Sequence, residues 1–490
     1  MSPVLDLPIP TLVIELFTVY AIVVSVFLIL ENRSPQSTFA WIFFFLLAPG
    51  VGLLIYLFVG RGWRAFSRED ELTRQAIGDE SQQRFTRYLT ERAAILAEME
   101  KREPISFKRK LLRLMSNNAN SVLTMHNRLA LLQDASQKYP RLIADIEQAQ
   151  HSIHMAYYIW EEDEFTNQLK DLLIRKAQAG VKVRILADAQ GANVSRKYMH
   201  DLREGGVEMY IYYNYLSPLK LHTIGYRNHR KIVVIDGNIG YMGGINISQE
   251  HLDGGKFFGN WRDTHLRIEG EATRVLQGIF ITSWYNTTAE RLTADEYFPV
   301  STTYDQDNLP IQLTTSGPDS QWAAIRQLYF LMITSAEKHL YIQSPFFIPD
   351  DTIAEALKAA ALAGIDVRIM CTPRGKVYQL PYWAANTYFA EMAEAGVRIY
   401  LYQKGYFHPK TVNVDSVVCS VGTANMDIRS FSINYEVNAV IYDAAVARQL
   451  EEDFINDIKD CVPFNLKAYE KRSVLLRLRD SIARLFSPLL

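Results

Sequence analysis

At 490 residues the chain has room for two or three domains and a large core. Its 52 Lys and Arg stand against 54 Asp and Glu, so no global basic field speaks for a nucleic-acid partner. The three cysteines, Cys371, Cys419 and Cys461, are too few and too far apart for a disulfide framework or a zinc pattern, and they suit a reducing compartment.

Residues 11–30 and 38–60 are apolar runs of about twenty residues or more, enough to cross about 30 Å of hydrocarbon. Residues 1–62 are therefore expected to form a transmembrane helical hairpin. Glu15 falls near one end, at headgroup depth. No Lys or Arg precedes the first run and a second follows at once, which counts against a cleaved signal peptide. Arg61, Arg64 and Arg68 follow the second run, whereas the short loop between the runs has only Arg33 beside Glu31. The positive-inside rule then puts the C-terminal bulk in the cytoplasm. Residues 63–119 read as a solvated helical connector, rich in Glu, Arg and Gln.

From residue 120 strands and helices alternate, and the pattern repeats. "AQHSIHMAYYIW" (149–160) has a partner in "AEKHLYIQSPFF" (336–347), "KAQAGVKVRILAD" (176–188) in "AALAGIDVRIMCT" (360–372), and "LREGGVEMYIYY" (202–213) in "MAEAGVRIYLYQ" (392–403). The expectation is an α/β domain duplicated, residues 120–295 and 296–465, with a polar link near 290–310 and sheets covered by helices. The tail, 466–490, predicts a basic amphipathic helix. It could lie on an anionic membrane surface or pack on its own domain.

Within the repeat, "RNHRKIVVID" (227–236) predicts a buried strand closed by the turn Asp236-Gly237-Asn238. The two-residue period of a strand points His229 and Lys231 the same way. Alone, such a pair is an ordinary strand start. "HPKTVNVD" (408–415) repeats it with His408, Lys410 and Asp415, and seven residues after each Asp comes Gly-x-x-Asn, ending at Asn246 and Asn425. One His-x-Lys-x4-Asp match is expected by chance in about 3% of such chains. Two with the same sequel make a duplicated site.

Two imidazoles and two ammoniums around one point suit phosphodiester chemistry. One neutral His can attack phosphorus while the other, protonated, gives its proton to the leaving alkoxide. Lys231 and Lys410 would neutralise the non-bridging oxygens, with Asn246 and Asn425 as neutral donors. Asp236 and Asp415 have the opposite strand parity and lie beyond the strand, so a scaffolding role is favoured for them. Asp263 in "NWRDTHL" and Glu436 in "INYEVNA" are better placed to orient the histidines. No metal is expected: His151 and His154 have no acidic or thiol cluster near them and read as structural. His222 could line a pocket but has no twin. The aromatic stretches 157–160 and 345–349 end corresponding strands and could wall the site or simply fill the core.

These motifs resemble the phospholipase D superfamily. "RNHRKIVVIDGNIGYMGGINIS", "WRDTHLRIEG", "SGPD" and "VGTANMDIRSFSINYEVN" resemble its bacterial cardiolipin synthases, over roughly residues 120–465. The resemblance implies two mixed-sheet halves related by a pseudo-twofold axis and flanked by helices. It implies a catalytic set of His229, Lys231, Asp236, His408, Lys410 and Asp415, with Gly244 and Thr423 joining Asn246 and Asn425 in phosphate binding. It makes His229 the nucleophile and needs no cofactor. The implied reaction joins two phosphatidylglycerols into cardiolipin and releases glycerol. The implied setting is a bacterial inner membrane, multi-pass, with the catalytic part on the cytoplasmic side, phosphatidylglycerol and cardiolipin as partners, no nucleic acid, and self-association left open. Thr423 stands where Ser is common, and Pro409 and Asn413 interrupt the second strand motif, which puts that strand at an edge or Pro409 near its start. A phosphodiester hydrolase acting on lipid or nucleic acid would use the same motifs, and an inactive membrane scaffold could keep the fold. The balanced charge and the hairpin count against a nuclease, and all four His and Lys residues argue against a scaffold.

Overall fold

The computed structural model of the chain describes residues 9–30, 35–48, 98–99, 101, 103, 105–119, 121–212, 225–299, 307–318, 320–376 and 378–489. The two N-terminal helices belong to one compact unit and the α/β part to another. In the first, helices Ile9–Leu30 and Pro35–Leu47 bury Leu28 and Phe45 against Tyr20, Val24, Trp41 and Ile42. Val19, Ile22, Val23, Phe27, Phe39 and Phe43 stay exposed, so this pair presents an apolar exterior. Among the described residues no helix is long and apolar enough to cross a membrane. The remainder of the second expected span with Arg61, the connector up to residue 97 with Arg64 and Arg68, the loop residues Glu31 and Arg33, and His222 lie outside the described residues.

The larger unit holds two sheets of one topology. In the first, β1 (Asn127–Leu132), β2 (Ser152–Tyr157), β3 (Lys182–Asp188), β4 (Glu208–Tyr212), β5 (Ile232–Ile235), β6 (Ile239–Gly243) and β7 (His265–Gly270) lie in the order β1-β7-β6-β5-β2-β3-β4. In the second, β8 (Ile311–Ser316), β9 (His339–Gln343), β10 (Asp366–Cys371), β11 (Arg398–Tyr402), β12 (Thr411–Val414), β13 (Val418–Gly422) and β14 (Asn434–Ile441) lie in the order β8-β14-β13-β12-β9-β10-β11. The permutation is the same. β2, β3 and β4 pair in parallel, as do β9, β10 and β11, and the other neighbours are antiparallel. The repeated sequence segments become β2–β4 and β9–β11 with the helices between them, as expected. The outer strands β1 and β8 had no distinct signal.

Helices on both faces make the central strands apolar throughout, as in "IVVI" of β5. Equivalent helices begin at equivalent caps: Asp163 accepts the Thr166 N–H and Asp350 accepts the Ile353 N–H. Between the sheets lies one shared core. Val234, Met242, Leu266 and Ile268 meet Val421, Val437, Ala439 and Ile441, with Phe280 and Leu450 from helices Glu271–Thr288 and Ala444–Ile458. Each such side chain contributes about 1.5–3 kcal/mol when buried, so the halves are held as one body. The connector's last helix, Ser106–Ala119, adds Leu111, Leu112 and Met115 to the core of the second half, and Leu123–Thr124 extends that half's sheet.

The tail helix Val474–Leu485 packs on helix Leu380–Glu394. Asp480 and Ala483 are buried there, Arg484 pairs with Glu391, and Asn386 donates to Asp480. Its other side is exposed and apolar: Val474, Leu475, Leu478 and Leu485, with Leu475 and Leu485 78% and 77% exposed. The packing alternative and an open apolar face therefore coexist in one helix.

Candidate active site

His229 lies just before β5 and His408 just before β12, in the middle of their sheets. Each is held by the other half. The two-residue strand Arg227–Asn228 runs parallel to Asn434–Tyr435, and Tyr406–Phe407 runs parallel to Trp261–Arg262. The His229 N–H donates to the Tyr435 carbonyl at 3.0 Å and the His408 N–H to the Arg262 carbonyl at 2.8 Å. This crossed docking brings both carboxylates into place. His229 Nδ1 is 2.9 Å from Glu436 Oε1, and His408 Nδ1 is 2.7 Å from Asp263 Oδ2. All four groups are buried.

The two carboxylates are supported differently. Thr423, Ser430 and Asn434 donate to Glu436 at 2.5, 3.0 and 3.3 Å. Burial pushes Glu436 up, but His229, Lys231 and Thr423 more than offset it and hold the carboxyl below its ordinary value. Asp263 accepts the Thr264 N–H at 2.7 Å. Burial raises its pKa against the opposing pull of Lys410. Gly244, the twin of Thr423, makes room for it: a Cβ there would lie 1.9 Å from Asp263 Oδ1. Gly244 and Thr423, expected to bind phosphate, adjoin the carboxylates, Gly244 by leaving room for Asp263 and Thr423 by donating to Glu436, and the Gly244 backbone also bonds the His408 imidazole.

An ionised carboxylate can only accept, so each Nδ1 carries the proton and each Nε2 keeps its lone pair. Burial, aided by Lys231 and Lys410, lowers the His229 pKa to about 4, with Glu436 opposing. His408 moves the same way for the same first reason. Both imidazoles are thus neutral near pH 7. The Lys231 and Lys410 ammoniums each donate to the carbonyl of their own motif's His at 2.6 Å. Burial brings Lys231 down to about 7 and Lys410 to about 8. The charge of each lysine acts on the other motif's histidine, so the two motifs form one site.

Asp236 and Asp415 stand at the far ends of β5 and β12. Each has a positive φ, 50° and 54°, in the turn that follows its strand. Asp236 accepts N–H bonds from Gln150, His151 and Ser152 at 2.7–2.8 Å; Asp415 does the same for Glu337, Lys338 and His339 at 2.8–2.9 Å. They tie β5 to β2 and β12 to β9 and make no direct contact with the imidazoles. Asp236→Ala is therefore expected to lower stability by about 2–4 kcal/mol by stranding three amides, measured by denaturant unfolding. A loss under about 0.5 kcal/mol would speak against this tie.

Asn246 accepts the Ile159 N–H at 3.1 Å, which turns its NH2 toward His251 Nε2, 3.4 Å away. Asn425 donates to Asp427 at 3.0 Å, and its oxygen has no partner among the described residues. Pro409 lies just before its strand, consistent with its missing N–H. His154 is a core residue beside Gln277, and His151 serves through its N–H. Tyr158 packs edge-on against His229 at 5.0 Å, and Trp261 against His408 at 5.4 Å. Phe346 reaches Tyr382, whose hydroxyl meets that of Tyr406.

Three contributors had no sequence signal. Lys138 donates to the Ile245 carbonyl at 2.9 Å, and Tyr139 donates to that of Ser248 at 2.9 Å, bracing the loop that carries Asn246. His251 bonds Ser248 at 2.7 Å and lies tilted against the Trp261 ring, while its twin is Ser430. Among the described residues no group of His, Cys, Asp or Glu is placed to hold a metal.

Comparison with known proteins places this geometry. The family described as cardiolipin synthase, PLD-like domain matches residues 142–256 and 329–458, and the family phospholipase D-nuclease N-terminal matches 16–61. A cardiolipin synthase of Geobacillus sp. (strain WCH70) is 41% identical over 463 residues, 94% of this chain and 90% of the relative. Cardiolipin synthase 2 of Bacillus anthracis is 40% identical over 477 residues, 97% of this chain and 91% of the relative. The solved phosphatidylserine synthase of Haemophilus influenzae Rd KW20 superposes with a TM-score of 0.60 at 16% identity, covering 78% of this chain and all of that one, which is a likeness of fold.

Proposed function

The chain belongs to the cardiolipin synthase family of phospholipase D-like proteins, and from that membership we propose that it joins two phosphatidylglycerols into cardiolipin through a phosphohistidine at His229. The observation that carries the route is the crossed pair of imidazoles, each with Nδ1 committed to a carboxylate of the other half. His229 Nε2 attacks phosphorus, and the bond from phosphorus to the glycerol oxygen breaks. His408 gives that oxygen its proton. The hydroxyl of the second phosphatidylglycerol then attacks, His408 takes its proton, and the N–P bond breaks. His408 is neutral at rest; the phosphodiester charge offsets the lysines and lets it acquire the proton it must give. Lys231 and Lys410, with Asn246 and Asn425, stabilise charge growing on the non-bridging oxygens.

The apolar exterior of the N-terminal helix pair supports reading residues 11–30 and 38–60 as a membrane hairpin. Arg61, Arg64 and Arg68 favour the cytoplasmic side for the catalytic unit. The exposed apolar side of the tail helix, with Lys471, Arg472 and Arg477 close by, suits the surface of an anionic bilayer.

The test supplies detergent-solubilised protein with phosphatidylglycerol alone, in EDTA. Cardiolipin with an equal yield of glycerol is expected. Phosphatidic acid as the main product would make the protein a hydrolase, and no turnover would leave the scaffold reading.

The lysines give a pH dependence. Their pKa values are depressed, so charge is lost as pH rises through about 7–8, and kcat/KM should fall over that range. Lys231→Arg keeps its charge and should move the fall upward by about one pH unit, although the bulkier fork lowers the rate itself. A pH–rate profile with an unmoved alkaline limb would remove Lys231 from this role.

A further inference from the structure

The two halves differ in the interval between the motif Asn and the carboxylate. It is seventeen residues from Asn246 to Asp263 but eleven from Asn425 to Glu436. The longer interval holds two one-turn helices, Glu250–Asp253 and Gly255–Phe258, joined and closed by Gly254, Gly255 and Gly259 at positive φ. A Cβ on Gly254 would lie 2.0 Å from the Asn260 nitrogen, so only glycine lets this loop fold back so tightly. Leu252 and Phe257 nevertheless point outward, 41% and 55% exposed. The second half meets the loop with the segment before helix Leu380–Glu394. There Lys376 is 2.9 Å from Glu250 and lies over the Phe257 ring at 5.6 Å, and Tyr378, two residues on, is 84% exposed. Charge is balanced here, because Glu250 pairs with Lys376 and Asp253 accepts the Gly255 N–H. What the surface offers is its apolar side chains.

Aromatic rings connect this surface to the site. Phe258 packs on Tyr406 at 4.9 Å, and Tyr406 lies 5.8 Å from His408. Gly375 stands where a Cβ would be 2.3 Å from the Tyr382 ring, and the Tyr382 hydroxyl meets that of Tyr406 at 2.9 Å. Both loops therefore rest on side chains that reach the His408 imidazole. On the His229 side the corresponding segments are 189–195 and 426–434. Among the described residues, neither exposes a large apolar side chain.

We propose that Leu252, Phe257 and Tyr378 form a lip that dips into the bilayer interface, so that a phospholipid reaches the His408 side of the site without its acyl chains crossing water. This rests on the cardiolipin-forming reading above for the identity of the substrate. A bilayer is the occupant because the exposed side chains are continuous, through Phe258 and Tyr406, with the imidazole that must meet a lipid hydroxyl. Exposed aromatic and aliphatic side chains on a rigid loop suit the headgroup boundary, where rings settle and chains begin.

The test uses the full-length protein in vesicles of phosphatidylglycerol and phosphatidylcholine. Cys371 and Cys419 are buried, so Cys461→Ser leaves a background for one introduced spin label. Labels are placed through Phe257→Cys, Tyr378→Cys and, as an exposed reference on helix Asp351–Leu362, Leu362→Cys. At 257 and 378 collisions with oxygen should exceed those with a water-soluble nickel chelate, and at 362 the chelate should win. The chelate winning at 257 and 378 overturns the proposal. So does label–label broadening there that vanishes on dilution with unlabelled protein, which would put a second copy on the lip. Phe257→Ser with Tyr378→Ser should lower cardiolipin formation in vesicles about tenfold and leave it unchanged on monomeric dihexanoyl phosphatidylglycerol. No loss in vesicles, or equal losses on both lipids, also overturns it. Wild-type protein that forms no cardiolipin from either lipid would instead overturn the functional reading.

Discussion

His408→Ala should lower cardiolipin formation about 10⁴-fold or more while the protein stays folded. The His408 side chain bonds Asp263 and the Gly244 backbone and packs near Trp261 and Tyr406, so its loss removes a proton carrier without opening the core shared by the sheets. His229→Ala should cost as much in overall rate, because the two imidazoles act in one sequence. The variants part in the first half-reaction. With a phosphatidyl donor whose leaving group is p-nitrophenol, no proton is needed at departure. His408→Ala should then release about one nitrophenol per protein and stop at the covalent intermediate, whereas His229→Ala releases none. A burst from His229→Ala in place of His408→Ala would exchange the two roles.

Glu436→Gln should cost about 10³–10⁴-fold in kcat, with little change in unfolding midpoint. The substitution keeps size and removes charge. Thr423 donates to Oε2 and Ser430 to Oε1, and His229 Nδ1 lies 2.9 and 3.0 Å from the two oxygens, so whichever one becomes NH2 leaves a donor without its acceptor and places an amide donor beside His229. Nδ1 must then accept, and the proton moves to Nε2, where the attacking lone pair should be. Asp263→Asn should do the same to His408, but less completely, because Asp263 accepts fewer bonds than Glu436 to fix the amide's orientation. A loss under about tenfold for Glu436→Gln, read with circular dichroism unchanged, would show that the carboxylate does not set the tautomer.

The duplicated site was legible because duplication preserves spacing. His229 to Asn246 and His408 to Asn425 are equally separated, and β2–β4 and β9–β11 keep recognisable segments. Asp263 and Glu436 were also legible as the carboxylates near the histidines. Their crossed assignment was not. It depends on pairing between two-residue strands, Arg227–Asn228 with Asn434–Tyr435 and Tyr406–Phe407 with Trp261–Arg262, which are too short to leave a periodicity. Gly244 and Thr423 were read from a motif position as phosphate supports, yet a motif does not say which neighbours a position meets; here Gly244 adjoins Asp263 and Thr423 donates to Glu436. Lys138 gave no sign because a lysine on a helix is normally solvated. Here Tyr157 and the Ile245 carbonyl replace its water. The tail helix had enough apolar positions for two faces, and its pattern could not say that one face would be covered.

The central claim is that the phosphatidyl group passes through His229. Wild-type protein is mixed with phosphatidylglycerol labelled at phosphorus, quenched in alkali within one turnover, where phosphohistidine survives, and digested. The label should appear on the peptide containing His229 and disappear on a chase with unlabelled phosphatidylglycerol, as cardiolipin forms. Label on the peptide containing His408, or no labelled peptide at any time while cardiolipin accumulates, would contradict the account.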